Sequence, residues 1–156
     1  KRYNYIFFKS GENIALEAID SPEFPGGGIK PGEQVTVGLI RELCEETGVG
    51  SACTLFQFND PITPFCSDMA IADYYAVAFL KENVYSNYSP SDGGLRVIAL
   101  TEEDVKLNIN LGVFNSSHAV LTPWYFYQKA REARNNSERL YLEQIGHLTI
   151  LEITLT

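Results

Sequence analysis

Between Gly27 and Val49 the sequence gathers Glu33, Arg41, Glu42, Glu45 and Glu46. On a helix running from Glu33 to Thr47, Glu42 lies three residues before Glu45 and four before Glu46, so the three carboxylates share one face. Like charges at these spacings each cost roughly 0.2–0.5 kcal/mol. Arg41 reaches Glu45 one turn on, in the weaker orientation for such a pair, and the helix offers no opposite charge to Glu42 or Glu46. Glu33 adds a carboxylate near the helix start, where the dipole favours negative charge. Taken alone, such a cluster is more often a solvated face. The chemistry that would use it is the binding of a hard cation, because Mg2+ and Mn2+ prefer carboxylate, carbonyl and water oxygens.

Just ahead of the helix, residues 22–32 hold Pro22, Pro25, Pro31 and four glycines. That density of breakers predicts a shaped loop instead of a strand or helix interior. Gly26, Gly27 and Gly28 permit positive φ and close backbone approach, so a main-chain carbonyl can turn toward the same cation as the glutamates.

These groups need a rigid frame. Val35, Leu39, Leu43 and Thr47 recur every four residues, with Thr36, Ile40 and Cys44 alongside, which predicts one apolar stripe on the Glu33–Thr47 helix. Aromatic and β-branched runs predict strands at Tyr3–Phe8 and Asn13–Ile19, Cys53–Phe58, Ala70–Leu80 and Leu95–Leu100. Residues 81–94 read as a polar loop. Thr101-Glu102-Glu103-Asp104 has capping-box spacing for a short helix. Ser116 or Ser117 is placed to cap a longer helix reaching about Arg134, and its run Trp124-Tyr125-Phe126-Tyr127 is crowded enough that at least one ring should face a pocket or partner. From Arg139 the tail reads as strand-like and offers a strand to this sheet or to a second chain. The sum is a mixed α+β domain over residues 1–156 with a strand-like C-terminal extension.

Bulk properties narrow the function classes. The 156 residues suit one hydrophobic core, and 45% hydrophobic with 21% charged residues argue against disorder or coiled coil. Twelve basic against twenty acidic residues leave a net charge of −8, which disfavours nucleic-acid backbones unless metal accompanies the phosphates. Cys44, Cys53 and Cys66 match neither a paired disulfide framework nor a zinc spacing, which points to a reducing, cytoplasmic setting. No stretch is long and apolar enough for a membrane span. The chain starts on Lys1, which leaves room for a leader or another domain ahead of it.

Gly27, five residues, Glu33, seven residues and then Arg41-Glu42-Leu43-Cys44-Glu45-Glu46-Thr47-Gly48-Val49 resembles a complete Nudix box, with agreement at every position that family specifies. The resemblance implies a Nudix α/β/α sandwich with a mixed sheet. It also implies hydrolysis of a nucleoside diphosphate linked to another group, dependent on Mg2+ or Mn2+. Carried over by position, Glu42 and Glu46 would be the principal metal ligands. Glu45 would ligate or orient, the carbonyl of Gly26 would complete the set, Arg41 would hold a glutamate, and Glu33 would act from behind them. The family's general base varies in position. Asp92, in the loop over residues 81–94, is one candidate, and Tyr85 and Tyr88 of that loop are candidates for stacking on a base.

His118 and His147 read as structural, with no ligand partner at a recognised spacing. The expected partner is a small nucleotide or other diphosphate compound, and a homodimer is compatible with the tail. A binding or sensing module on the same fold is the rival reading, and an isomerase or glycosylase-associated domain a third. The intact glutamate set favours hydrolysis. Nothing outside the box resembles a motif that would choose among diphosphate substrates.

Overall fold

The computed structural model describes residues 2–10, 13–18, 22–47, 52–62, 72–81, 96–114, 120–135 and 138–155. Successive side chains of a strand point to opposite faces, and two central strands show how this sequence uses that rule. In β6 (Ala72–Leu80), Tyr75, Val77 and Phe79 enter one apolar cluster while Ala76, Ala78 and Leu80 enter another. In β5 (Ala52–Phe58), Phe56 and Phe58 join the first cluster, and Cys53 and Leu55 the second. Both faces of the sheet are therefore covered, each by helices.

The small face carries α1 (Val35–Thr47), whose predicted stripe supplies Leu39 and Leu43 to the second cluster, with Val35, Ile40 and Cys44 packed against it. Full burial of Leu39 and Leu43 contributes on the order of 1.5–3 kcal/mol each. Alanines at 76 and 78 leave room for this helix. The aromatic face carries α3 (Thr122–Asn135), which sends Phe126, Tyr127, Ala130 and Ala133 into the first cluster, where Val105 of α2 (Glu102–Asn110) joins them.

Among the described residues the sheet has eight strands along the path β3 (Pro22–Glu23), β2 (Asn13–Ala18), β1 (Arg2–Ser10), β6, β5 and β8 (Leu148–Thr154), with β4 (Gly26–Gly28) paired to β1 and β7 (Arg96–Thr101) to β2. It is mixed: β1 runs parallel to β6, whereas β2, β4 and β7 join antiparallel, as do β5 to β6 and β8 to β5. The expected strands are thus all present in the described parts of the chain. The proline and glycine segment differs from the shaped loop expected of it. Pro22–Glu23 forms the short strand β3 against β2, and Gly26–Gly28 pairs with Tyr3–Tyr5 of β1. Pro22 opens β3 and Pro25 lies between β3 and β4, positions at which a sheet tolerates proline.

Two corrections fall on the C-terminal half. The helix expected from Ser116 or Ser117 starts at Thr122, after one wider turn at Val120 and Leu121, and the two serines lie outside the described residues. The tail is not strand-like from Arg139, since Glu138–Gln144 is a helix, α4. Its residues are strong helix formers. Gly146, at φ 78°, closes α4: its N–H donates to Glu143 O at 3.2 Å and that of His147 to Leu142 O at 3.0 Å, the paired bonds of a Schellman ending. The strand begins only at Leu148 and pairs with β5 of the same chain. At the predicted cap, Thr101 accepts from the Asp104 N–H at 3.1 Å and starts α2. No helix among the described residues is long and apolar enough to cross a membrane.

Candidate active site

The frame of the candidate site is one helix laced to one short strand. Arg41 on α1 is the hub. Its Nε donates to Glu33 Oε2 at 2.8 Å and its Nη2 to Glu33 Oε1 at 3.0 Å, a bidentate fork. Nη1 donates to Glu42 Oε1 at 2.8 Å and to Glu45 Oε2 at 3.1 Å, while Nη2 also reaches the Gly28 carbonyl at 2.9 Å. A single guanidinium, always charged, thereby holds three carboxylates and the end of β4. Spacing alone had left Glu42 without an opposite charge. Glu42 is adjacent to Arg41 in sequence, and the planar fork folds back far enough to serve it as well as Glu45.

Glu46 is held differently. Its Oε2 accepts the Gly26 N–H at 2.7 Å, and the residue is 8% exposed. Glu42 is also largely covered, its side chain 12% exposed, whereas that of Glu45 is 42% exposed. The single exposed face expected of the three carboxylates is thus divided: Glu45 faces solvent, and Glu42 and Glu46 turn toward the glycine strand.

Glycine at 27 is required by that packing. A Cβ built there would lie 2.3 Å from Glu42 Cδ and Oε2 and 2.5 Å from Oε1. The expected close approach is present. The positive φ that these glycines permit is not used, because Gly26–Gly28 is paired as a strand and the positive-φ glycines among the described residues are Gly32, Gly112 and Gly146. On the helix, a Cβ at Gly38 would lie 3.0 Å from Glu33 Oε1, so a second glycine admits the Glu33 carboxyl against α1.

Glu33 precedes α1 and also accepts the Lys30 N–H at 3.0 Å. The Arg41 guanidinium, with that backbone bond, holds its carboxyl down at about 2. Arg41 is in turn pushed above the usual guanidinium range, chiefly by Glu33.

The side chains at 42, 45 and 46 offer only oxygen, and Cys44, which interrupts them, packs into the small-face core. That donor chemistry fits a hard divalent cation and not a soft one. Among the described residues no three His, Cys, Asp or Glu side chains converge into a closed metal cage. In this arrangement the charge between Glu42 and Glu45 is the Arg41 guanidinium.

Tyr85, Tyr88 and Asp92 lie outside the described residues, as does His118. His147 falls just ahead of β8, although the tail from Arg139 was expected to be strand-like. It sits on the turn before β8, half exposed, with Nδ1 against Asp60 Oδ2. The crowded ring run resolves as anticipated: Phe126 and Tyr127 are buried, and Tyr125, 52% exposed, lines a cleft with Asp60, Lys129 and His147. The sequence reading missed this cleft because its walls come from β5, α3, α4 and the turn before β8. Only the ring run hinted at it.

A mixed sheet covered by helices on both faces, with a glutamate-rich helix bound to a glycine strand, is the α+β class that the box implied. The NUDIX domain model matches residues 10–125, well over half of the chain, and the chain belongs to the Nudix hydrolase family. No significant match was found among curated proteins. Enzymes of the family generally use divalent metals such as Mg2+ or Mn2+, and the domain suggests pyrophosphohydrolase activity on nucleoside diphosphate derivatives.

Proposed function

We propose that this chain is a metal-dependent hydrolase that cleaves the phosphate anhydride of a nucleoside diphosphate linked to another group. One observation carries the reading: the Gly26 N–H holds Glu46, and Arg41, bonded to Gly28 O, holds Glu42 and Glu45, so the carboxylates are positioned by the glycine strand and the helix together. A sensor that only binds nucleotide has no need of so complete a set.

In this reading Glu42 and Glu46, with the Gly26 carbonyl, hold Mg2+ or Mn2+, and Glu45 ligates or orients from the exposed side. When bound, the cation supplies neutralisation of the diphosphate and acidification of a water. The chain's own residues do the rest. Arg41 directs Glu42 and Glu45 through its Nη1 bonds to both. Glu33, ionised at any pH above about 2, keeps Arg41 in place from behind. The general base is Asp92 or a glutamate of the cluster, and Tyr85 and Tyr88 contribute to substrate binding. The compartment is cytoplasmic, in keeping with cysteines that follow no disulfide framework.

The test is a panel of nucleoside diphosphate derivatives incubated with Mg2+ or Mn2+ and assayed for released phosphate products. Glu46→Gln, which keeps the side chain's shape, should lose turnover by at least 100-fold with its melting temperature little changed. Near-normal turnover in that variant would sink the ligand assignment, and a panel without product would favour the sensing module.

A further inference from the structure

A second concavity lies on the aromatic face, at the end of the sheet where β5 finishes. Its floor is Phe58, Phe126 and Leu148, and it encloses about 250 Å³. The floor is rigid. Phe126 stacks on Tyr75 at 4.5 Å and 10° and packs against Phe58 at 4.8 Å. One wall is Tyr125, edge-on to Phe126 at 5.4 Å, with the Lys129 ammonium 5.5 Å from its ring centre. The opposite wall is the Asp60 and His147 pair. Asn59 braces it: its N–H donates to His147 O at 2.9 Å, and its Nδ2 to Gly146 O and Thr149 Oγ1, each at 2.9 Å.

Strand register relates this cleft to the carboxylates. Gly28, whose carbonyl takes the Arg41 bond, pairs with Tyr3; Tyr3 pairs with Asp73; and Asp73 exchanges two 2.8 Å backbone bonds with Ile62, which lines the cleft. Three interstrand steps of about 4.8 Å put Gly28 and Ile62 some 14 Å apart along one row, which runs near the strand ends, between the face that carries α1 and the face that holds the cleft. That is the scale of an extended nucleoside diphosphate.

Resting on the hydrolase reading above, we infer that this cleft receives the base of the nucleoside diphosphate while its phosphates lie at the glutamates. The volume is below the roughly 300–1,000 Å³ of sites for whole drug-sized ligands, and suits one ring system. An exposed tyrosine over an aromatic floor offers a stacking surface with little ordering cost. Asp60, an acceptor, and Lys129, a donor, stand at the rim, where a base presents its polar edge.

The experiment separates ring binding from hydrolysis. Adenosine, guanosine and uridine, which carry no phosphate, are titrated without metal into the whole chain while amide chemical shifts are followed. At least one should bind and shift the signals of Tyr125, Lys129 and Ile62. Tyr125→Ala should weaken that binding about tenfold, and Tyr125→Phe should restore it. With the diphosphate substrate found by the panel, Tyr125→Ala should raise KM about tenfold and leave kcat within a few-fold. Hydrolysis by the wild type with no nucleoside binding, or with binding indifferent to Tyr125→Ala, overturns the cleft assignment and leaves the hydrolase intact. Tyr125-dependent nucleoside binding with no hydrolysis of any diphosphate supports the cleft and removes the hydrolase.

Discussion

Gly27→Ala isolates the geometry of the site from its charge. The new methyl carbon would stand 2.3 Å from the Glu42 carboxyl carbon, whereas ordinary contact begins at 3.4 Å, so the carboxylate must retreat by roughly 1 Å. The moving group is the far end of a flexible side chain, so the fold can absorb the change. Glu42 loses or lengthens its 2.8 Å bond from Arg41, and replacing glycine in an extended strand returns about 0.4–1 kcal/mol through the unfolded chain. The net stability change is therefore within about 1 kcal/mol, a shift of about 2–4 °C in melting temperature for a chain of this size. Catalysis is less forgiving, since misplacing a reacting or ligating group by about 1 Å costs on the order of 100-fold. The assay is product release under saturating Mg2+, with a thermal melt on the same preparation. Gly28→Ala is the internal control: a Cβ there meets nothing within 4 Å, so that variant should keep full turnover. Wild-type turnover in Gly27→Ala would refute the claim that Glu42, positioned through Gly27, serves the reaction. Equal loss in Gly28→Ala would refute the claim that the contact is the cause.

Two further outcomes follow from the same structure. The Glu33 carboxyl is held at about 2 against an ordinary value of 4.5, so its ionised form adds stability above about pH 4.5 that drains away as pH falls toward 2. Melting temperatures of wild type and Glu33→Gln should therefore differ by a constant amount above that range and converge below it. A gap of the same size at pH 2 as at pH 7 would mean that the ionised Glu33 carboxylate is not its source. Leu43→Ala, at a position with no exposure under α1, should cost about 2–5 kcal/mol and lower the urea midpoint without changing the slope.

The frame of the site was readable because periodicity and burial agree there. Val35, Leu39 and Leu43 recur at helical spacing and all face the small side of the sheet, and the β5 and β6 runs are buried on both faces, as their near-continuous apolar composition implies. The C-terminal helix was missed for a physical reason. Leu140 and Leu142 flank Tyr141 with a two-residue period that looks like a strand, yet Leu140 and Tyr141 are exposed. Gly146 was the available signal, placed to end a helix of good helix formers. The division of the glutamates could not be read either. It depends on how β4 pairs with β1 and thereby brings Gly26 N–H to Glu46, a contact between residues 20 apart.

Strand β8 gives the molecule a temporal property. Thr54 of β5 bonds Glu152 of β8 across 98 residues, and every β5 residue from Ala52 to Phe58 has its partner there. During synthesis β5 emerges long before that partner. While the chain is growing, one edge of β5 is left as an open row of donors and acceptors, after the glutamate helix has already been made. Stalling or truncation before Leu148 would therefore yield a chain that carries its acidic helix yet offers a bare strand to its neighbours. Strand β8 doubles as the step that closes this edge of β5 to other nascent copies.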